Sequence, residues 1–188
     1  MGNIRLARPG DLPGIATVVN HYIEHGTQHF ATTPLSEDAV GAFALRDDHP
    51  CFVLASEPVD GHGVTIKGAA WSAPHKSREA YGWTVDVAVY VHPDAQGHGV
   101  GSRLQAKVID CIRAQGYVSA LAVIGVPNEA SVRLHEQLGF EAIGVLPQVG
   151  YKRDAWRDIG IWHLALREVT GAPAAIRSVR EVLSANEG

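Results

Sequence analysis

The chain has 188 residues, 46% of them hydrophobic and 19% charged, which excludes a disordered chain and predicts one domain with a sizeable core. Sixteen Lys and Arg against twenty Asp and Glu leave a net charge of −4. That balance argues against broad binding to nucleic acid or an anionic membrane, both of which need a basic face.

The N-terminal MGNIRLARPGDLP lacks the apolar run of a signal peptide, and no stretch reaches the roughly 18 apolar residues of a membrane span. A cytoplasmic protein is therefore expected. In chain order, residues 4–7 read as a short strand, and Asp11 is placed to cap a helix carrying Leu12, Ile15, Val18, Val19, Tyr22 and Ile23 at helical spacing, with Gly26 ending it. A weaker helix follows around 36–46. Strands at 51–55 and 64–71 come next, joined through Pro58, Gly61 and Gly63 as a hairpin. TVDVAVYV at 84–91 alternates cleanly: four valines share one face, while Thr84, Asp86, Ala88 and Tyr90 share the other. Val100, Leu104, Val108, Cys111 and Ile112 mark an amphipathic helix running to Gly116. A strand at 118–124, a helix at 129–138 and strands near 140–146 and 159–166 complete the pattern. The reading is an α/β domain over residues 1–169, built on a mixed central sheet flanked by helices and paired in parallel wherever a helix crosses between strands. Residues 170–188 form a tail with a short helix in it.

The segment of most chemical interest follows the 84–91 strand. Gly97, Gly99 and Gly101 lead directly into a helix, where backbone amides and the helix dipole together attract an anion such as a phosphate. The spacing fits neither a Rossmann fingerprint nor a Walker A loop, which would require a lysine. Three glycines can also simply make a tight turn.

QGHGVG at 96–101 resembles the pyrophosphate-binding motif of the Gcn5-related N-acetyltransferases. NHYIEHGTQHF (20–30), AYGWTVDVAVYV (80–91), AVIGVPNEASVRLHEQLGF (122–140) and GYKRDAWRDIGIW (150–162) resemble the phosphinothricin and methionine sulfone/sulfoximine acetyltransferase group. The similarity covers about residues 4–167. It implies a sheet-and-helix acyl-CoA N-acyltransferase fold, acetyl-CoA as co-substrate and no metal. The reaction it implies is direct attack by the α-amino group of a small amino-acid-like compound, within a homodimer. Another small amine, a peptide N-terminus, or a binding module without catalysis are the alternatives.

By this resemblance the backbone of Val89, Tyr90 and Val91 pairs with the pantetheine arm of coenzyme A. Gln96, Gly97, His98, Gly99, Val100, Gly101 and Ser102 hold its pyrophosphate. Asn128, which can also cap the next helix, contacts the arm with Ser131 nearby. Acetyl transfer needs a neutral amine, a polarised thioester and a protonated leaving thiol. Asp86 is the candidate base, shorter by one carbon, about 1.5 Å, than the Glu usual in this family; a solvent-facing polar position is the plainer reading. His135 is the second candidate, as acid or base near the sulfur; on pattern alone a lone helical His is more often structural than catalytic. Lys76, Arg78 and Tyr81 precede the strand, where Arg78 can grip a carboxylate with two hydrogen bonds. Tyr22, His29 and Phe30 match the family's acceptor-side loop, and Lys152 and Trp156 close the pocket. His21, His25 and His29 recur every four residues, but Gly26 breaks the helix and no HExxH spacing supports a metal site.

Overall fold

In the computed structural model, residues 2–56 and 64–185 are described; the Pro58, Gly61 and Gly63 turn lies outside them. Among these residues, seven strands form one sheet: β1 (Asn3–Leu6), β2 (Cys51–Ala55), β3 (Ile66–Pro74), β4 (Thr84–Val91), β5 (Ser119–Val126), β6 (Glu141–Lys152) and β7 (Ala155–Ala165). Their spatial order is β1-β2-β3-β4-β5-β7-β6. Helices α1 (Leu12–His25) and α2 (Glu37–Ala44) cover one face. Helices α3 (Val100–Gln115) and α5 (Val179–Ser184) pack on the other, and α4 (Glu129–Gln137) follows β5.

Each strand's alternation decides which core it feeds. In β2, Cys51, Val53 and Ala55 join the α1–α2 side while Phe52 and Leu54 join the α3 side. All five are buried, as a strand covered on both faces requires. In β4, Val85 and Val87 pack under α3, whereas Ala88 and Tyr90 pack toward α1.

Three expectations change. Among the described residues, parallel pairing is confined to β4–β5; β1 and β2 pair antiparallel despite two intervening helices. Two helices traverse the layer twice and return the chain to the end of β1 where it left. Asp11 does not cap α1 with its side chain. Its carboxylate instead accepts the Arg8 backbone N–H at 2.8 Å and two guanidinium N–H groups of Arg5 at 2.6 and 2.8 Å, and the Arg5 bonds hold its pKa below the usual carboxylate value. The last two strands also run further than their patterning indicates. Arg153 and Asp154, both at positive φ (53° and 56°), close them into a hairpin in the manner of a type I′ turn.

Residues 170–185 return to the body of the domain. The Trp83 indole donates to the Ala174 carbonyl at 2.7 Å, Val179 N–H donates to Asp47 at 2.7 Å, and Val179 and Val182 are buried in the α3-side core.

Candidate active site

β4 and β5 are paired only from Thr84↔Ser119 to Asp86↔Leu121, although β4 continues to Val91 and β5 to Val126. Beyond Asp86 the strands separate. The opening is part of a cleft of about 690 Å³. Its walls are Val87–Val91 on one side and Ala122–Gly125 on the other. On the β5 side, the β4 backbone from Val87 onward has no strand partner, so its polar groups are available to an extended ligand.

The cleft continues to the start of α3. Gly97 and Gly99 have φ of 76° and 68°, and a Cβ at either would meet nothing within 4 Å. Gly99 is the N-cap, with no side chain capping the helix and no acidic residue in its first turn. The first amides of α3 therefore remain available to an anion. Gly101 differs. A Cβ there would lie 2.8 Å from Leu134 of α4 and 3.4 Å from Val91, so its smallness lets α3, α4 and β4 approach closely. His98 is exposed between the two positive-φ glycines; Val100 is buried and Ser102 half-buried.

Asn128 and Ser131 line the same cleft. The Asn128 side chain accepts from Ser131 N–H at 3.2 Å, so it caps α4 while facing the opening. His135, one turn further, is buried, with Phe140 edge-on at 5.1 Å between centroids. Its Nδ1 lies 2.9 Å from the Ser131 carbonyl. A carbonyl only accepts, so Nδ1 carries the proton and Nε2 is an acceptor; among the described residues Nε2 has no hydrogen-bond partner. Burial depresses the His135 pKa, opposed by the Ser131 hydrogen bond.

Tyr22, expected on the acceptor side, lines this cleft. Its hydroxyl donates to the Val91 carbonyl at 2.5 Å and accepts from Gln96 Nε2 at 2.8 Å, tying α1 to the end of β4 and the glycine turn.

Asp86 stands at the vertex of the separation, on the α1 face of β4. Burial raises its pKa above the ordinary carboxylate value, against the hydrogen bond from His75, which lowers it. That bond, Nδ1 to Oδ1 at 2.8 Å, identifies a residue the sequence reading passed over. The β3–β4 register pairs Ala73 with Asp86, and two residues along β3 brings His75 to the diagonal position beside it. The hairpin arithmetic held that signal once the register was known. Lys76, Arg78 and Tyr81 lie in the exposed β3–β4 connection. Arg78 sits 6.0 Å from the centroid of the Tyr81 ring, which in turn packs edge-on against His75.

Lys152 and Phe30 do structural work in this arrangement. Lys152 is buried and donates to the His29 carbonyl at 2.6 Å; burial, with Arg153 nearby, lowers its pKa. The Phe30 ring lies where Cβ atoms of Gly150 and Gly125 would be, at 2.4 and 3.0 Å. Together they fasten the loop after α1 to β5 and β6. Trp156 is 61% exposed. His21 and His25 stack 4.9 Å apart, His29 Nδ1 accepts from Ala31 N–H at 3.0 Å, and the described residues hold no cluster of metal-ligating groups.

Residues 17–140 match the acetyltransferase (GNAT) family. A phosphinothricin N-acetyltransferase of Streptomyces viridochromogenes is 39% identical, over 95% of each chain. An L-methionine sulfoximine/L-methionine sulfone acetyltransferase of Pseudomonas aeruginosa is 34% identical, over 91% of this chain and 98% of the relative. The structure of a GNAT superfamily phosphinothricin acetyltransferase of Sinorhizobium meliloti in complex with acetyl-CoA superposes with a TM-score of 0.82 at 28% identity, covering 92% and 93% of the two chains. With its splayed strands and glycine turn, this chain belongs to the GNAT family of acetyltransferases.

Proposed function

We propose that the chain transfers an acetyl group from acetyl-CoA to the α-amino group of a small amino-acid-like acceptor of the phosphinothricin, methionine sulfoximine or methionine sulfone type. The observation that carries this reading is the opening between β4 and β5, continuous with an uncapped helix start at Gly99. That shape suits a long ligand with an amide-bearing arm at one end and a pyrophosphate at the other. The names of the relatives supply the acceptor class.

Bound there, acetyl-CoA supplies an activated acyl carbonyl; the chain's own residues do the rest. The unpaired β4 backbone holds the arm and offers an N–H to the thioester oxygen. Gly97, Gly99 and the first α3 amides hold the pyrophosphate, with Asn128 and Ser131 along the arm. Asp86, hydrogen-bonded to His75, stands on the side of the acceptor ammonium and belongs to the proton-accepting part of the site. His135 is neutral at rest with an acceptor nitrogen free, so it receives a hydrogen bond near the sulfur. The two cysteines support direct attack over a covalent acyl carrier: both are buried, and burial pushes Cys51 up to about 12 and Cys111 to about 11, leaving the thiols protonated. Lys76 and Arg78, exposed beside the Asp86–His75 pair, suit the acceptor's acidic groups. We also propose a cytoplasmic homodimer.

The test is thiol release from acetyl-CoA with phosphinothricin, methionine sulfoximine, methionine sulfone, common amino acids and a polyamine. Saturable turnover on one of the first three is expected. Thermal stabilisation by coenzyme A with no turnover would favour the binding module; the absence of both responses would overturn the reading.

A further inference from the structure

The carboxyl at position 86 is one carbon shorter than a glutamate's, yet it does not stand alone. His75, just past the end of β3, places Nδ1 2.8 Å from Asp86 Oδ1. A carboxylate accepts and does not donate, so His75 Nδ1 carries a proton, and in the neutral ring Nε2 is the acceptor. The side chains of His75 and Asp86 are 20% and 35% exposed, so the pair is sheltered but open to a small molecule. Asp86 marks the last paired position before β4 and β5 separate. The groups facing the pair are Lys76 on its own connection and Tyr81, edge-on to the imidazole with Arg78 beyond it.

We propose that His75 and Asp86 work as one proton-accepting unit, with His75 Nε2 receiving the proton of the acceptor ammonium and Asp86 orienting the ring and stabilising the imidazolium. This rests on the acetyl-transfer reading above. The imidazole extends the reach that the short carboxylate lacks. One proton passes from the ammonium to Nε2, freeing the nitrogen lone pair. The N–C bond forms and the C–S bond breaks, the second amine proton leaving with the thiol. His75 then returns its proton to solvent, so each turnover yields amide, thiol and one proton.

The variant that separates proton transfer from positioning is His75→Asn, whose side-chain amide keeps a donor to Asp86 and cannot titrate. The expected result is a fall of about 100-fold or more in kcat/KM for the acceptor, unchanged acetyl-CoA affinity and thermal stability, and activity recovering as pH rises and the free amine becomes abundant. Asp86→Asn should also lower turnover, and in nitrogen-15 imidazole spectra it should release His75 from the single Nδ1–H tautomer. Wild-type kcat/KM and pH profile in His75→Asn would overturn the role, leaving His75 a hydrogen-bond donor only; so would an Nε2–H tautomer in the unsubstituted protein. If the unsubstituted protein turns over none of the amines, the acetyl-transfer reading fails first and this role falls with it. Turnover insensitive to His75→Asn removes the His75 role alone.

Discussion

His135 shows how one buried ring can be set against stability. Its Nδ1–H is satisfied by Ser131, but Nε2 is a buried acceptor with no partner among the described residues, an arrangement that costs about 1–3 kcal/mol. Burial also lowers its pKa, so the fold holds it neutral while the unfolded chain takes up a proton near the ordinary value of about 6.5. The sign follows: its contribution to stability is full above that value and is lost as the pH falls from there through the folded pKa. His135→Phe keeps a ring against Phe140 and removes both the orphan acceptor and the titration. Thermal melts across pH should show equal or greater stability at pH 7 and a weaker loss toward pH 5. Turnover should fall by about 100-fold or more. A destabilised variant with normal turnover would make His135 structural.

At the scale of the element, the glycine turn divides into two jobs that sequence alone assigned to one. Gly97 and Gly99 hold positive φ beside open space, whereas Gly101 sits in α3 with Leu134 at 2.8 Å from its Cβ position. Gly99→Val should therefore strain the turn, by about 1–2 kcal/mol, and weaken coenzyme A binding at least tenfold by calorimetry. Gly101→Val should mainly lower the melting temperature, because the Leu134 and Val91 side chains packed against this position must give way. Equal losses of affinity without a stability difference would restore the single role. The contrast also marks what a sequence can carry. TVDVAVYV and the α3 stripe announced themselves because one period runs through each without interruption. The β6–β7 arm hid its length because its register shifts between Ala142 and Gly144 and between Leu146 and Gly150, and its turn uses Arg153 and Asp154 in place of glycine. Likewise Asp86 was visible as a lone carboxyl among valines, but His75 became its partner only through strand register. Tyr22 was visible as a candidate, but the bond to Val91 that fixes its position spans 69 residues and could not be read from the sequence.

For the molecule as a whole, the sheet ends in an edge that water should not favour. β6 is the outer strand, and from Ala142 to Tyr151 it carries no charged residue. Ile143, Val145 and Val149 are 64%, 56% and 49% exposed, and Tyr151 is 57% exposed. Soluble proteins blunt such edges with lysine, short strands or a covering element, and exposed apolar patches of this kind mark association surfaces. The register breaks interrupt the ladder but leave the apolar side chains outward. A second copy of the chain is the covering element that the proposed homodimer supplies, and the surface predicts its own disruption. Light scattering of the unsubstituted protein should give about twice 20.1 kDa. Val145→Lys combined with Val149→Glu places charges on the strand without touching the buried core, so it should give a folded species of half that mass at micromolar concentration. A monomeric unsubstituted protein would end the proposal. A dimer that survives both charges would move the interface to another surface.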